Sequence, residues 1–367
     1  MIPLSKPSID EKEIKAVVGV LKSGIIAQGP KVKDFESAFA KFIGTKNAVA
    51  VSSGTAALHC ALYAAGIKED DEVITTPFTF VATANSILMQ GAKPVFADIE
   101  EETFNINPEK IGEKITDKTK AILAVDLYGH PYDYDAIRKI ADMHNLKIIE
   151  DACQAVGSEY NGKKCGTLGD IGTFSFYATK NMTTAEGGML VAGNEEFAEQ
   201  ARRLRHHGQS EKTRYEYSDL GYNYRMTDIN AAMGIEQLKK INKWNKKRVE
   251  NAAYLNRGLG KIKGIKIPTV KKGCVHAFHQ YTVKVERNFK LSRNKLMEYL
   301  KNKGIGCGVY YPNPLHLVSH IKKFGYKKGD FPVAEKLCGQ VLSLPVHQHL
   351  TKNDLNKIIK AFRELAH

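Results

Sequence analysis

Apolar and polar positions follow two different periods along the first two-thirds of the chain. Short apolar runs over 47–53, 72–76, 94–98, 120–126, 146–151, 171–176 and 187–193 have the length and composition of buried strands. Stretches with helical spacing lie between or beside them, over 55–66, 83–90, 133–145 and 194–208. This alternation predicts a mostly parallel or mixed sheet covered by helices on both faces. A long amphipathic region from Thr227 to about Leu259 leads into a different texture, with a strand over 279–285 and helices over 292–304 and 351–365. The fold class expected is therefore α/β, with a large domain over 1–250 and a smaller α+β domain over 251–367. A chain of 367 residues is long for a single core, which supports the division.

Composition narrows the function classes. Hydrophobic residues make up 43% and only 12 residues are proline, so the chain can bury a sizeable core. No apolar run approaches the ~18 residues of a membrane span, and the start MIPLSKPSID lacks the layout of a signal peptide. The formal charge is +14, which favours acidic partners or substrates. Nucleic acid is the obvious one, but the lysines are scattered over polar helix faces such as 239–248, without an RNA-binding aromatic pattern or zinc-finger spacing. Six cysteines form no CxxC pair, as expected of reduced thiols in a cytoplasmic protein. The pairs His206 and His207, His276 and His279, and His347 and His349 have no acidic or cysteine partner at a ligand spacing, so no metal site is expected.

Four segments carry candidate chemistry. Lys180, in FSFYATKNMTTAEGGML (174–190), follows a strand and precedes a glycine-closed turn. Alone it reads as a surface lysine. About thirty residues upstream, however, strand LKIIED ends in Asp151, at the carboxyl end of a buried strand, where ligands bind in open α/β sheets. A lysine and an aspartate converging on one crevice form either an ion pair or the two protein groups that pyridoxal phosphate requires, an amine for the Schiff base and a carboxylate for the pyridinium nitrogen. The third segment, AVAVSSGTAAL (48–58), runs from a strand through Ser52, Ser53, Gly54 and Thr55 into a helix, a layout that binds a single phosphate or merely caps the helix. It has neither a dinucleotide GxGxxG nor a Walker GK[ST]. Phe80, at another strand-to-helix junction, is either a core ring or one that stacks on a flat cofactor.

Together SSGTAAL, TPFTFVATAN, EDACQAVGSEYNGKKCGTLGDIGTFSFYATKNMTTAEGGM, GYNYRMTDINAAMG and HQYTVKV resemble the DegT/DnrJ/EryC1/StrS family of pyridoxal-phosphate sugar aminotransferases, over nearly the whole chain. The resemblance implies the aspartate-aminotransferase fold (fold type I), a homodimer, and amino transfer from L-glutamate to a nucleotide-linked keto sugar in amino sugar biosynthesis. It implies that Lys180 is the Schiff-base lysine and that Asp151 meets the pyridine nitrogen. Gln154 would touch the ring hydroxyl and Phe80 would stack on the ring. Gly54, Thr55 and Ser175 would hold the phosphate, and Asn223 in GYNYRM would reach it from the partner subunit. Arg225 is a candidate for the donor carboxylate, against a structural ion pair. Three departures stand out: Ala178 for a frequent proline, Cys153 for the usual alanine, and Ala185 for a frequent glycine. None removes a functional atom, but Ala185 puts the geometry of its turn in question. His316 lies in a segment the family shares, with no role assigned. The alternative reading is a regulatory or nucleic-acid-binding protein on the same fold.

Overall fold

The computed structural model describes residues 1–210 and 215–365. Its large sheet contains β1 (Asn47–Val51), β2 (Glu72–Thr75), β3 (Lys93–Phe96), β4 (Thr119–Val125), β5 (Lys147–Asp151), β6 (Ile171–Ser175) and β7 (Gly188–Ala192). They lie in the spatial order β1-β7-β6-β5-β4-β2-β3. The pairs from β3 across to β6 are parallel, whereas β7 runs antiparallel to both β6 and β1. The sheet is thus mixed, and all seven apolar runs of the first two-thirds are strands in it.

Period-two alternation divides each strand between two cores. Val49 and Val51 of β1 and Leu123 and Val125 of β4 face one apolar cluster, while Ala48, Ala50, Ile122 and Ala124 face the other. Helices α1 (Glu11–Ser23), α2 (Pro30–Ile43), α3 (Gly54–Ala64), α4 (Ala82–Met89), α5 (Tyr134–His144) and α6 (Glu195–Arg205) follow in chain order. Residues of α3, α4 and α6 fill the first cluster, and those of α2 and α5 fill the second. The region read as one amphipathic stretch is two helices, α7 (Asp228–Leu238) and α8 (Ile241–Leu259). Asp228, the first residue of α7, ties this helix to α2. Its carboxylate accepts the amides of Gly29, Lys31 and Val32 at 2.8, 3.0 and 3.0 Å, and so caps α2 from nearly two hundred residues away.

The C-terminal part holds a three-stranded antiparallel sheet with Ile265–Lys266, Tyr281–Val285 and Val341–Leu344 in that order. Its core joins Leu255, Tyr281, Leu296, Leu342 and Phe362, and also takes in Ile2 from the other end of the chain. Not all of the later sequence stays in this lobe. Leu315, Ile321, Phe331 and Leu337 pack into the first cluster of the large sheet.

The turn between β6 and β7 answers the question raised by Ala185, whose φ is 68°, in the left-handed region. Its amide is held by the Thr183 hydroxyl at 2.9 Å, so the turn keeps this shape with a β-carbon present. The side chain is exposed, and the cost is local backbone strain. Ala185→Gly is therefore expected to stabilise the protein by about 1 kcal/mol, offset in part by glycine's greater freedom when unfolded. Urea unfolding of the two proteins measures it, and an unchanged or lower midpoint for the glycine form would contradict the strain.

Candidate active site

Three chain segments meet at the carboxyl ends of β5 and β6. The first is the start of α3. Ser53 caps the helix, its hydroxyl accepting the Ala56 amide at 3.1 Å. The earlier amides of Gly54 and Thr55 have no intrahelical acceptor and open the helix toward the strand ends, with the favourable end of the helix dipole. Gly54 is required by proximity: a β-carbon there would lie 2.8 Å from Ser175 Cβ and 3.1 Å from Cys153 Sγ. A small anion such as a phosphate suits this corner, where Ser175 sits beside the helix start.

The second segment is the end of β5. The Asp151 side chain is buried, its Oδ2 accepting the Thr83 hydroxyl of α4 at 2.8 Å and its Oδ1 the Cys153 amide at 3.2 Å. Thr83 also contacts the Thr79 hydroxyl at 3.1 Å, so a buried threonine pair steadies the carboxylate. The Cys153 thiol is pushed well up by burial, with Asp151 adding to the effect, and is neutral at ordinary pH. Beyond it, Gln154 Oε1 accepts the Tyr128 amide at 2.9 Å, and Nε2 donates to the Tyr311 hydroxyl at 3.3 Å.

The third segment follows β6. The Lys180 amide donates to the Tyr177 carbonyl at 2.9 Å, a tight turn that brings the lysine back over the strand end. Burial pushes its amine down, with Cys153 and Asp151 acting in the other direction. A larger share of the lysine is then the neutral, nucleophilic amine near neutral pH.

These residues line one cavity of about 640 Å³, with Ser53, Gly54, Thr55, Phe80, Asp151, Gln154, Ser175 and Lys180 on its wall. Phe80 is 54% exposed, unusual for a phenylalanine, and its ring faces that of Tyr311 at 6.2 Å and 36°. A flat group bound there would cover it. His279, Gln280, Tyr310 and Tyr311, from the last quarter of the chain, complete the lining. Of the nine residues proposed from sequence, seven thus share this cavity, all but Asn223 and Arg225. The other two do not reach it: Asn223 is exposed and bridges through its backbone to His206. Arg225 pairs through its backbone with Val51 and donates from Nη1 to His206 Nδ1 at 2.8 Å, a contact to an imidazole and not to a carboxylate.

Sequence reasoning missed Thr83, Tyr311 and His279. Thr83 lies within the TFVATAN segment singled out for its aromatic ring, and its hydroxyl was the available signal. His279 opens the HQYTVKV segment, whose residues carried the resemblance without a role for the histidine, and Tyr311 lies far along the chain with no local signal. His316 is buried against Glu335, with Nε2 3.0 Å from the carboxylate, and is not on the cavity wall. One cluster elsewhere brings Asp126, Glu150 and Cys165 together in the core. Both Glu150 oxygens already accept amides there, from Gly166, Leu168 and Gly169. Burial and the Glu150 charge push the Asp126 carboxyl well up, as for an acid donating its proton to Glu150.

Comparisons with known proteins bear on the family and the fold. Residues 7–363 match the model of the DegT/DnrJ/EryC1/StrS aminotransferase family. The chain is 41% identical to the spore coat polysaccharide biosynthesis protein SpsC of Bacillus subtilis, covering 99% of this chain and 97% of that one. It superimposes on DesV of S. venezuelae, solved in complex with a ketimine intermediate, with a TM-score of 0.92 and 37% identity over 96% of this chain and 94% of that one. Helicobacter pylori PseC, an aminotransferase involved in the biosynthesis of pseudoaminic acid, gives a TM-score of 0.92 at 31% identity, over 99% of this chain and 98% of that one. The fold is that of the PLP-dependent aminotransferases of fold type I, and the chain belongs to the DegT/DnrJ/EryC1/StrS aminotransferase family.

Proposed function

We propose that this protein is a pyridoxal-phosphate enzyme that transfers an amino group from L-glutamate to a nucleotide-linked keto sugar, giving an amino sugar nucleotide. The observation that carries the reading is the convergence of Lys180, Asp151 and the start of α3 on one cavity. Its donor set fits the cofactor: an anion corner, a buried carboxylate, an exposed ring and a single amine. Pyridoxal phosphate supplies an aldehyde for condensation with amines and a ring that accepts electrons. The amides of Gly54 and Thr55 with Ser175 would hold its phosphate, Gln154 would meet the ring hydroxyl, and Phe80 would cover the ring face. Asp151 would keep a proton on the ring nitrogen, since a nearby carboxylate favours the charged form. The Lys180 amine would be the covalent anchor and, once released, would move a proton at the donor's α-carbon.

Charge supports a site shared between two copies. The charged groups on the cavity wall are Asp151, Lys180 and Glu186, with no arginine among the described lining residues. A phosphate, two glutamate carboxylates and a nucleotide diphosphate need more positive charge than this. We assign the missing donors to the partner subunit of a homodimer, whose Asn223 would reach the phosphate and whose Arg225 would take a donor carboxylate. The net charge of +14 favours such anions over a neutral acceptor. We also place the enzyme in the cytoplasm, in keeping with six unpaired cysteines, and divide it into lobes 1–250 and 251–367. No helix among the described residues is long and apolar enough to cross a membrane. The regulatory or nucleic-acid-binding alternative gains no support from the site.

The direct test offers glutamate with nucleotide keto sugars and, separately, with simple 2-oxo acids. Turnover of a nucleotide sugar, together with a borohydride-fixed cofactor on Lys180, is expected. Efficient amination of 2-oxo acids alone would defeat the substrate class, and an adduct on another lysine would defeat the anchor.

Asp151→Asn is expected to retain cofactor but lower kcat/KM roughly 10²- to 10⁴-fold, the range over which a positioned proton acts. Thr83→Val removes one hydrogen bond to the carboxylate and should cost about 10- to 100-fold. Steady-state rates measure both, and a near-normal Asp151→Asn enzyme would refute the role of the carboxylate.

Lys180→Ala and Asn223→Ala proteins, each impaired alone, should recover activity when mixed and allowed to exchange subunits. One of the two sites in each hybrid dimer then carries neither substitution. Absence of recovery, with exchange verified by mass spectrometry, would mean that Asn223 serves its own chain.

A further inference from the structure

A strained turn follows β4 and touches three residues of the cavity wall. Tyr128 has a φ of 60°, in the left-handed region, where a bulky residue persists only when its surroundings hold it. Each of its polar atoms is engaged. The amide donates to Gln154 Oε1 at 2.9 Å, the carbonyl accepts the Gln280 amide at 3.2 Å, and the hydroxyl donates to the Tyr310 carbonyl. Gln154, Gln280 and Tyr310 all line the cavity. The Tyr128 ring is buried, edge-on to Phe104 at 5.5 Å and 70°. Gly129 follows with a φ of 97°, and a β-carbon there would lie 3.0 Å from the Gln154 carbonyl oxygen. The turn is thus packed against Gln154 itself.

These contacts fix the direction of each hydrogen bond around Gln154. A backbone N–H only donates, so the Gln154 side-chain oxygen faces Tyr128 and the nitrogen faces away from it. Nε2 donates one hydrogen to the Tyr311 hydroxyl at 3.3 Å, which makes the Tyr311 oxygen the acceptor. Tyr310 and Tyr311 are consecutive, so three hydrogen bonds close a ring: Tyr128 amide to Gln154, Gln154 to Tyr311, and back through the Tyr310 carbonyl to the Tyr128 hydroxyl. Burial pushes both the Tyr128 and the Tyr311 phenols up, so both keep their protons at neutral pH. Two hydrogens remain, the second on Gln154 Nε2 and the one on Tyr311 Oη. No acceptor among the described residues takes either. Both residues line the cavity, so what this edge offers a bound group is hydrogens.

We propose that Tyr128 is the positioning residue that makes this edge of the cavity a hydrogen-bond donor, and that the edge therefore takes the ring oxygen of pyridoxal phosphate in its ionised form. The inference rests on the cofactor reading given above and adds to it which form of the ring oxygen is bound. A ring hydroxyl that kept its proton would need an acceptor, and Gln154 Oε1 is already taken by the Tyr128 amide. An ionised oxygen only accepts, and a hydrogen bond to a charged group is stronger than one to a neutral group. The role proposed for Asp151, keeping a proton on the ring nitrogen, asks for the same arrangement, with the proton on nitrogen and none on oxygen. Tyr128 acts through Gln154 and Tyr311, from outside the cavity lining.

The test compares two probes on full-length protein freed of cofactor: pyridoxamine phosphate, and its analogue lacking the ring hydroxyl. Neither has an aldehyde, so both bind without joining Lys180, and calorimetry gives each affinity at pH 7.5. The ratio of the two is taken within each variant, so a general loss of folded protein cancels. Wild type is expected to prefer pyridoxamine phosphate by about 10- to 100-fold. Gln154→Glu puts an acceptor where the nitrogen stood and should abolish or reverse the preference. Tyr128→Phe keeps the ring and the backbone and removes the link to Tyr310. It should cut the preference roughly 3- to 10-fold while leaving the affinity for the analogue unchanged. Tyr311→Phe, which keeps the ring beside Phe78 and Phe80, should match it, and the double variant should fall no further than either alone. A wild-type ratio in Gln154→Glu overturns the donor edge. An unchanged ratio in Tyr128→Phe, or equal losses for both probes, overturns the positioning role. Equal binding of the two probes by wild type defeats the inference and leaves the cofactor reading standing, whereas binding of neither defeats the cofactor reading and the inference with it.

Discussion

The site depends on one close approach. The backbone of Gly54 lies against the ends of β5 and β6 so tightly that a methyl group there would overlap Ser175 and press on Cys153. Gly188 makes the same approach from the other side, where a β-carbon would fall 2.3 Å from the Ser53 carbonyl oxygen. Two glycines thus let β1, α3, β6 and β7 converge without side chains between them. The helix start, with its unpaired amides and partial positive charge, is thereby set beside the buried carboxylate and the amine. Any residue larger than glycine would push the helix start away from the carboxylate and the amine.

Close packing also sets the electrostatics. Lys180 stands in a wall that is poorly hydrated, where desolvation outweighs the pull of Asp151 and the amine is pushed down. Asp151 keeps its lone pairs occupied by the Thr83 hydroxyl and the Cys153 amide, so the carboxylate is steadied without forming an ion pair with the lysine. No salt bridge joins the two among the described residues. An amine locked into an ion pair would be charged and unreactive, so keeping the two groups apart in one cavity suits the roles proposed for them. Immediately behind Asp151, Glu150 faces the opposite side of the sheet and is satisfied by three amides. Adjacent carboxylates on one strand therefore do different work because the pleat sends them to different faces.

The large sheet was legible because its strands are short, apolar and separated by helical periods, and because alternation along β1 and β4 is regular. The lysine and carboxylate proposed to hold the cofactor could be picked out for a related reason: Asp151 ends one such strand and Lys180 follows the end of another. Other features escaped for identifiable causes. In α1 the apolar residues Ile14, Val18 and Leu21 are 47%, 40% and 54% exposed, whereas Glu13 is buried and bonded to Lys240. Its hydrophobic pattern is thus not the pattern of its packed face in this chain. The stretch from Thr227 read as continuous because apolar periodicity carries across the short join at 239–240, where α8 begins without a side-chain cap. Leu315 and Phe331 gave no sign that they cross to the large-sheet core, since burial records that a residue is covered and not by what.

The hardest features to read were those made by distance along the chain. Gln154 is recognisable from its motif, but its amide is oriented by the Tyr128 backbone and the Tyr311 hydroxyl, the latter 157 positions away. Asp228 caps a helix 196 to 199 positions upstream. The same holds for the charge of the cavity. A chain with a surplus of 14 positive charges has two carboxylates and one amine at its candidate site, so the surplus lies elsewhere on the surface. Surface charge is screened within ~10 Å at ~0.1 M salt, so it speeds the approach of an anionic substrate and contributes little to holding it. Holding requires donors at contact distance. A single chain supplies helix amides and hydroxyls, enough for one phosphate, and the further anions call for cations carried in from outside the cavity. A second copy, presenting the segment beside the end of β1, is the source that the proposed homodimer provides.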